Sequence, residues 1–308
     1  MSSAASHSAA SPPPSALTCS PGSRGPADFY SSALSFAPHV TDKVHHAGVG
    51  HYYELIYGIF MMPLLAATTG GDGLRILEIG LGCNYFGKKH RTHAKSARLW
   101  RSLAPRATIW AAEYDARCVR ENAALWRELR LNTLVGDQGN NATLSRWIGT
   151  SGGAFDVVID DGSHRNSHVL TSFRALWPQL RPGGLYFFED LLVGRHNRYD
   201  DTAGRAVVSD VLQAWMEQLL IPPNYGQRAG CSGPRDRNCV HAKAPAHIRA
   251  AEMRARFPLP DNAAFVFCQR SACVVAKKAL LGLEGIGAPS KAGEREPKRR
   301  MWASQERF

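Results

Sequence analysis

At 308 residues and 44% apolar content the chain can bury one sizeable core, and no internal repeat divides it. Its formal charge of +11 is scattered, densest over residues 88–101 and at Lys298-Arg299-Arg300; without an aromatic-interleaved basic stripe, no nucleic-acid partner is expected. Seven cysteines (Cys19, Cys83, Cys118, Cys231, Cys239, Cys268, Cys273) without a CxxC pair exclude a disulfide scaffold and argue against zinc.

Residues 1–40 are read as a disordered extension rich in Ser, Ala and Pro, because that composition cannot build a core. Its first 27 residues lack Asp and Glu, as plastid transit peptides do, but carry one Arg. The compartment stays open between cytoplasm and plastid, with a Golgi-type lumen as a third option. A single domain is expected over 41–280, followed by a disordered basic tail over 281–308.

The apolar stretch 51–65 predicts a helix ended by Gly70 and Gly71. The apolar run 55–67 falls short of the roughly 20 residues that a membrane span requires. From there, predicted strands at 74–79, 108–113, 132–135, 155–159 and 184–189 alternate with predicted helices at 95–103, 116–129, 142–149, 167–180 and 207–220. Polar residues 223–243 predict a long loop over the substrate mouth or a disordered segment. Alternating apolar residues at 264–269 and 272–277 then predict an antiparallel hairpin. The expected fold is α/β: a Rossmann-like, doubly wound, mostly parallel seven-stranded sheet with that hairpin at its edge. Reduced thiols are the default, although Cys231 with Cys239, or Cys268 with Cys273 across the hairpin, could bridge in an oxidising compartment.

Ligands of such sheets bind at the carboxyl ends of the strands. The first strand runs into Glu78-Ile79-Gly80-Leu81-Gly82, where glycines let a ligand approach the backbone; Tyr85 in place of a third glycine argues against a dinucleotide. Glu113 ends the second strand and can accept from both hydroxyls of a ribose, a role for which Asp115 competes. Asp137 and Gln138 follow the third strand, where Asp137 either meets an adenine amino group or is an exposed turn residue.

The fourth strand ends in Asp160-Asp161-Gly162-Ser163-His164 and the fifth in Glu189-Asp190. Asp161, Glu189 and Asp190 on adjacent strand ends would repel one another unless a cation sat among them. Oxygen ligands favour Mg²⁺, with Mn²⁺ second. The competing reading is that Asp160 or Asp161 caps the next helix.

These strings, with Phe173, Leu180-Arg181-Pro182-Gly183-Gly184-Leu185-Tyr186 and the earlier Thr41-Asp42-Lys43, resemble the metal-dependent sugar O-methyltransferases of natural-product pathways. That family includes the mycinamicin deoxysugar and elloramycin rhamnosyl enzymes, and the resemblance runs from about residue 41 to 277. It implies an S-adenosylmethionine-dependent class I methyltransferase in which Asp161, Glu189 and Asp190 bind Mg²⁺ and His164 is the general base. The cofactor contacts expected at the strand ends are Glu78, Gly80, Gly82, Glu113, Asp137, Gln138 and Asp160. The expected acceptor is a hydroxyl of a sugar or glycosylated small molecule, in a homo-oligomer or a monomer. Imidazole suits proton removal because it changes protonation near neutrality.

Two rivals remain: a catechol-type O-methyltransferase acting on an aromatic diol, and a non-catalytic S-adenosylmethionine-binding protein. An RNA methyltransferase is disfavoured, since neither an Asn-Pro-Pro-Tyr nor a cysteine-nucleophile motif is present. His45, His46, His51, Tyr52 and Tyr53 form either a lid over the cofactor or, the preferred reading, ordinary helix packing. Arg195, His196 and Tyr199 are candidates for substrate contact.

Overall fold

A computed structural model describes residues 25–68, 71–83, 94–220 and 254–279. In chain order the elements are α1 (Pro26–Leu34), α2 (Glu54–Ala66), β1 (Arg75–Ile79), α3 (Lys95–Leu103), β2 (Thr108–Glu113), α4 (Ala116–Glu121), α5 (Ala123–Glu128) and β3 (Leu131–Val135). They continue with α6 (Asn141–Ser151), β4 (Phe155–Asp160), α7 (Asn166–Leu176), β5 (Leu180–Phe188), α8 (Val208–Leu220), β6 (Ala263–Gln269) and β7 (Ala272–Lys277). The sheet has seven strands in the order β3-β2-β1-β4-β5-β7-β6. The first five are parallel, and β7 runs antiparallel to both β5 and β6. This is the α/β sheet with an antiparallel edge hairpin that the alternation of patterns predicts.

Both faces of the sheet are covered, which is why Val157-Val158-Ile159 of β4 and Leu185-Tyr186-Phe187-Phe188 of β5 read as continuous apolar runs. Ile76, Ile109, Val157, Ile159 and Phe187 pack with α1, α2 and α3, while Leu77, Val158, Tyr186 and Phe188 pack with α6, α7 and α8. The strand order reverses direction at β1, whose neighbours are β2 and β4. The crevice of an open α/β sheet lies at this switch point.

Three expectations need correction. First, Pro26–Leu34 is a helix inside the stretch read as disordered, opened by Pro26 in the first turn. Phe29 and Ala33 on it are fully buried, and Phe29 stacks on Tyr57 at 5.2 Å. Composition averaged over residues 1–40 hid one short amphipathic turn. Phe29→Ala should therefore destabilise the fold by about 3 to 5 kcal/mol in a urea titration; an unchanged midpoint would mean that α1 is not part of the core.

Second, the helix predicted over 116–129 is two helices meeting at Asn122, whose side chain donates to the Cys118 carbonyl at 2.8 Å and so competes with the backbone ladder. Third, β5 begins at Leu180 rather than near Gly184: Leu180 pairs with Phe155, and the register shift before Val157 takes up the Pro-Gly-Gly turn.

The cysteines also differ from the reduced default. Cys268 and Cys273 bridge across the hairpin, with Cα atoms 4.1 Å apart. Cys83 and Cys118, 35 residues apart in sequence, form a second disulfide that spacing gave no reason to pair. The Cys231/Cys239 expectation, the 223–243 loop and the tail lie outside the described residues. Among the described residues, no helix is long and apolar enough to cross a membrane.

Candidate active site

A cavity of about 650 Å³ opens at the carboxyl ends of the parallel strands, within the size range of small-molecule sites. Each strand end adds to it in turn: Ile79 and Gly80 from β1, Ala112 and Glu113 from β2, Gly136 to Gln138 after β3, Asp161 to His164 after β4, and Asp190 after β5.

The turn after β1 requires glycine. Gly80 has φ +100°, and a Cβ there would lie 2.1 Å from the Asp161 carbonyl oxygen, so the ends of β1 and β4 touch only because this side chain is missing. A Cβ on Gly162 would fall 1.9 Å from Gln138 Oε1 and 2.9 Å from Ile79 Cγ2, so the Gln138 side chain would have to move.

Glu113 ties two cavity walls together. Its Oε2 accepts from the Leu81 amide at 3.1 Å and its Oε1 from the Asp115 amide at 2.9 Å. Asp115 instead caps α4, accepting from the amides of Arg117 and Cys118. Of these two carboxylates, Glu113 lines the cavity and Asp115 does not. Asp137 lines it as well, holding the Gly139 amide at 2.8 Å and lying 3.5 Å from His168 Nδ1.

At the opposite side, Asp161, His164 and Asp190 offer ligand atoms within 4.8 Å of one another. His164 Nε2 is 3.9 Å from Asp161 Oδ1 and 3.8 Å from Asp190 Oδ2. His164 and Asp190 both have positive φ, 56° and 52°. Non-glycine residues held in the left-handed region concentrate at functional sites, where the surrounding structure over-determines them.

Three expected site residues sit behind the cavity wall rather than on it. Asp160 is buried and accepts from Gln138 Nε2 at 2.9 Å, Ser172 Oγ at 2.6 Å and Tyr186 OH at 3.0 Å. Burial raises its pKa, and these donors oppose the rise. It braces Gln138, whose Oε1 in turn receives the Ser163 amide at 2.7 Å. Glu78 is also buried, accepting from Ser96 Oγ at 3.0 Å while its Oε1 has no hydrogen-bond partner among the described residues.

Glu189, the third, is spoken for. Both its oxygens accept from Lys43 Nζ, at 2.7 and 2.8 Å, and Tyr57 OH donates to Oε1. Burial pushes the Glu189 and Glu78 carboxyls up, and Lys43 opposes this in each case. Burial likewise works against the Lys43 ammonium, yet the fields of Asp161, Glu189 and Glu78 hold its pKa well above the ordinary lysine value.

The histidine- and tyrosine-rich lead-in segment reaches the same acids. Tyr53 OH donates to Asp190 Oδ1 at 2.8 Å, and His51 Nε2 lies 3.1 Å from that oxygen. His45 and Tyr52 instead stack on each other at the surface. Sequence reasoning did not single out Lys43, Tyr57, Trp147, Arg165 or His168. Thr41-Asp42-Lys43 was visible only as the start of a resemblance, and nothing local marks a lysine that pairs with acids 118 and 146 residues away. Arg195, His196 and Tyr199 do not line the cavity; Arg195 pairs with Asp210.

A family model described as a methyltransferase domain matches residues 77–191, the span from β1 to just past Asp190. This chain carries a methyltransferase domain. Over 119 residues it is 44% identical to mycinamicin VI 2''-O-methyltransferase of Micromonospora griseorubida, which covers 38% of this chain and 27% of that protein. Over 168 residues it is 40% identical to 8-demethyl-8-alpha-L-rhamnosyl tetracenomycin-C 2'-O-methyltransferase of Streptomyces olivaceus, covering 52% of this chain and 41% of the relative.

Among solved structures, the MycE methyltransferase from the mycinamycin biosynthetic pathway in complex with Mg and SAH superposes with a TM-score of 0.57 at 25% identity, over 83% of this chain and 56% of that one. The chain thus spans between 27% and 41% of the length of these two curated relatives. They are bacterial proteins and lend no support to the plastid or Golgi-type expectations.

Proposed function

We propose that this protein is an S-adenosylmethionine- and Mg²⁺-dependent O-methyltransferase acting on a sugar hydroxyl of a glycosylated small molecule, with His164 as general base. The observation that carries the proposal is the convergence of Asp161, His164 and Asp190 at the rim of a cavity that also contains the Gly80 turn and Glu113. The kinship with sugar O-methyltransferases supports the choice of acceptor over a catechol.

The residues present fit both groups. Two carboxylates beside an imidazole form a donor set suited to a hard divalent cation, and a glycine turn facing an acidic β2 terminus suits a nucleoside. Asp161 and Asp190 would hold the cation, and Glu189 is the third ligand that the resemblance assigns; its Oε2 accepts from Lys43 and keeps a second lone pair for that role, whereas Oε1 takes both Lys43 and Tyr57. Glu113 would hold the ribose, and Asp137 with Gln138 would face the adenine side. When bound, the cation stabilises a developing alkoxide and the cofactor presents an electrophilic sulfonium methyl.

His164 then accepts the hydroxyl proton at Nε2, the nitrogen that faces Asp161 and Asp190. Tyr53 and His51 keep the Asp190 carboxylate in place from the far side.

Glu113→Ala should weaken S-adenosylmethionine binding by about 1 to 3 kcal/mol in calorimetry, the worth of charge-assisted hydrogen bonds. Asp115→Ala should instead affect mainly the stability of α4, by about 1 kcal/mol. The reverse pattern would move the ribose to Asp115. The function itself is tested by transfer of labelled methyl from S-adenosylmethionine to glycosylated macrolide or polyketide acceptors. Labelling of catechols but of no sugar hydroxyl would reject the proposed acceptor class.

A further inference from the structure

Lys43 is the most heavily engaged charged group near the site, and neither the mechanism above nor the sequence motifs give it a task. Its side chain is 0% exposed. The ammonium lies 2.7 Å from Glu189 Oε1, 3.0 Å from Asp161 Oδ2 and 3.5 Å from Glu78 Oε1, with the Trp100 ring centre 5.8 Å away. Its backbone carbonyl receives the Tyr53 amide at 2.9 Å, and the Tyr53 hydroxyl reaches Asp190. One residue therefore bridges the end of β1, the end of β4 and the end of β5. It does so from a segment outside the sheet and without lining the cavity.

A fully buried ammonium needs such partners, but three partners on three strands are more than neutralisation demands. The arrangement has a geometric effect. Asp161 and Glu189 would otherwise spread apart by mutual repulsion, and Glu78 Oε1, which has no hydrogen-bond partner among the described residues, would lose the ammonium 3.5 Å away.

We infer that Lys43 is a positioning residue of the cation site: it draws Asp161 and Glu189 together, anchored on Glu78, so that the acidic centre is assembled before a divalent cation arrives. This rests on the proposed function, since it presumes that the acidic centre takes Mg²⁺. Residues that orient metal ligands are typically worth about 10- to 100-fold in metal affinity. A bystander cation would have the opposite sign, because removing a positive charge beside a Mg²⁺ site favours binding.

The experiment is Mg²⁺ titration by calorimetry without cofactor, on the full-length parent, Lys43→Met and Glu78→Gln, with circular dichroism to check folding. Lys43→Met should bind Mg²⁺ about 10- to 100-fold more weakly, and raising the Mg²⁺ concentration should restore much of its turnover, a rescue that a merely structural defect would not show. Parental or tighter Mg²⁺ binding by folded Lys43→Met would overturn the inference. If that variant does not fold, Glu78→Gln decides, because it loosens the anchor of Lys43 without touching Asp161 or Glu189. Its Mg²⁺ affinity should fall several-fold, and an unchanged value would overturn the inference. A parent that binds no Mg²⁺ would remove the proposed function together with the role of Lys43. A parent that binds Mg²⁺ while the variants match it would remove only the latter.

Discussion

His164→Ala is expected to lower methyl transfer by about 10² to 10⁴ while leaving Mg²⁺ and S-adenosylmethionine binding near parental, because that is the usual worth of a positioned base. An unassisted sugar hydroxyl is a poor nucleophile at neutral pH, and His164 is the imidazole held between the two acids at the cavity rim, 3.9 and 3.8 Å from their nearest oxygens. Its positive φ of 56° gives alanine no steric benefit, so a modest loss of stability should accompany the change. Single-turnover kinetics separates the two effects: a loss confined to the chemical step assigns the base, whereas a matching loss of cation affinity would make His164 a ligand.

Asp161→Asn is the second large effect. Parent protein held at about 100 times its Mg²⁺ dissociation constant should gain about 2.7 kcal/mol of stability, read as a rise in melting temperature. The asparagine variant should show no such gain and no turnover, since a neutral amide cannot replace the carboxylate that faces both the cation site and Lys43. Asparagine keeps the shape and one acceptor oxygen, so the fold should survive. A normal Mg²⁺ response from this variant would place the cation elsewhere.

Much of this architecture was legible in the chain because each feature rests on local chemistry. Buried parallel strands must be apolar on both sides, and Val157-Val158-Ile159 show it. Strand ends in this fold face the crevice, so Asp161, Glu113 and Asp190 could be placed before any coordinates. The close approach of β1 to β4 at Gly80 likewise follows from a residue type. What the sequence concealed depends on long-range approach. Lys43 engages acids far along the chain, and Glu189, indistinguishable from Asp190 as a string, has its carboxylate on Lys43 and Tyr57. Asp160 and Glu78 carry the charges expected of cavity residues yet face inward, because a one-residue step along a strand reverses the side chain. The pairing of Cys83 with Cys118 and the docking of Phe29 on Tyr57 are tertiary facts with no periodic signature.

At the core of the proposed function is the dependence of sugar-hydroxyl methylation on a divalent cation held at the ends of β4 and β5. Its most direct test is transfer of tritiated methyl from S-adenosylmethionine to a glycosylated macrolide bearing a free sugar hydroxyl, in excess EDTA and again after Mg²⁺ is restored. The expected result is a sugar-methylated product that disappears with EDTA and returns with Mg²⁺. Full transfer in EDTA would contradict the account and leave the methyltransferase fold without its proposed cation chemistry.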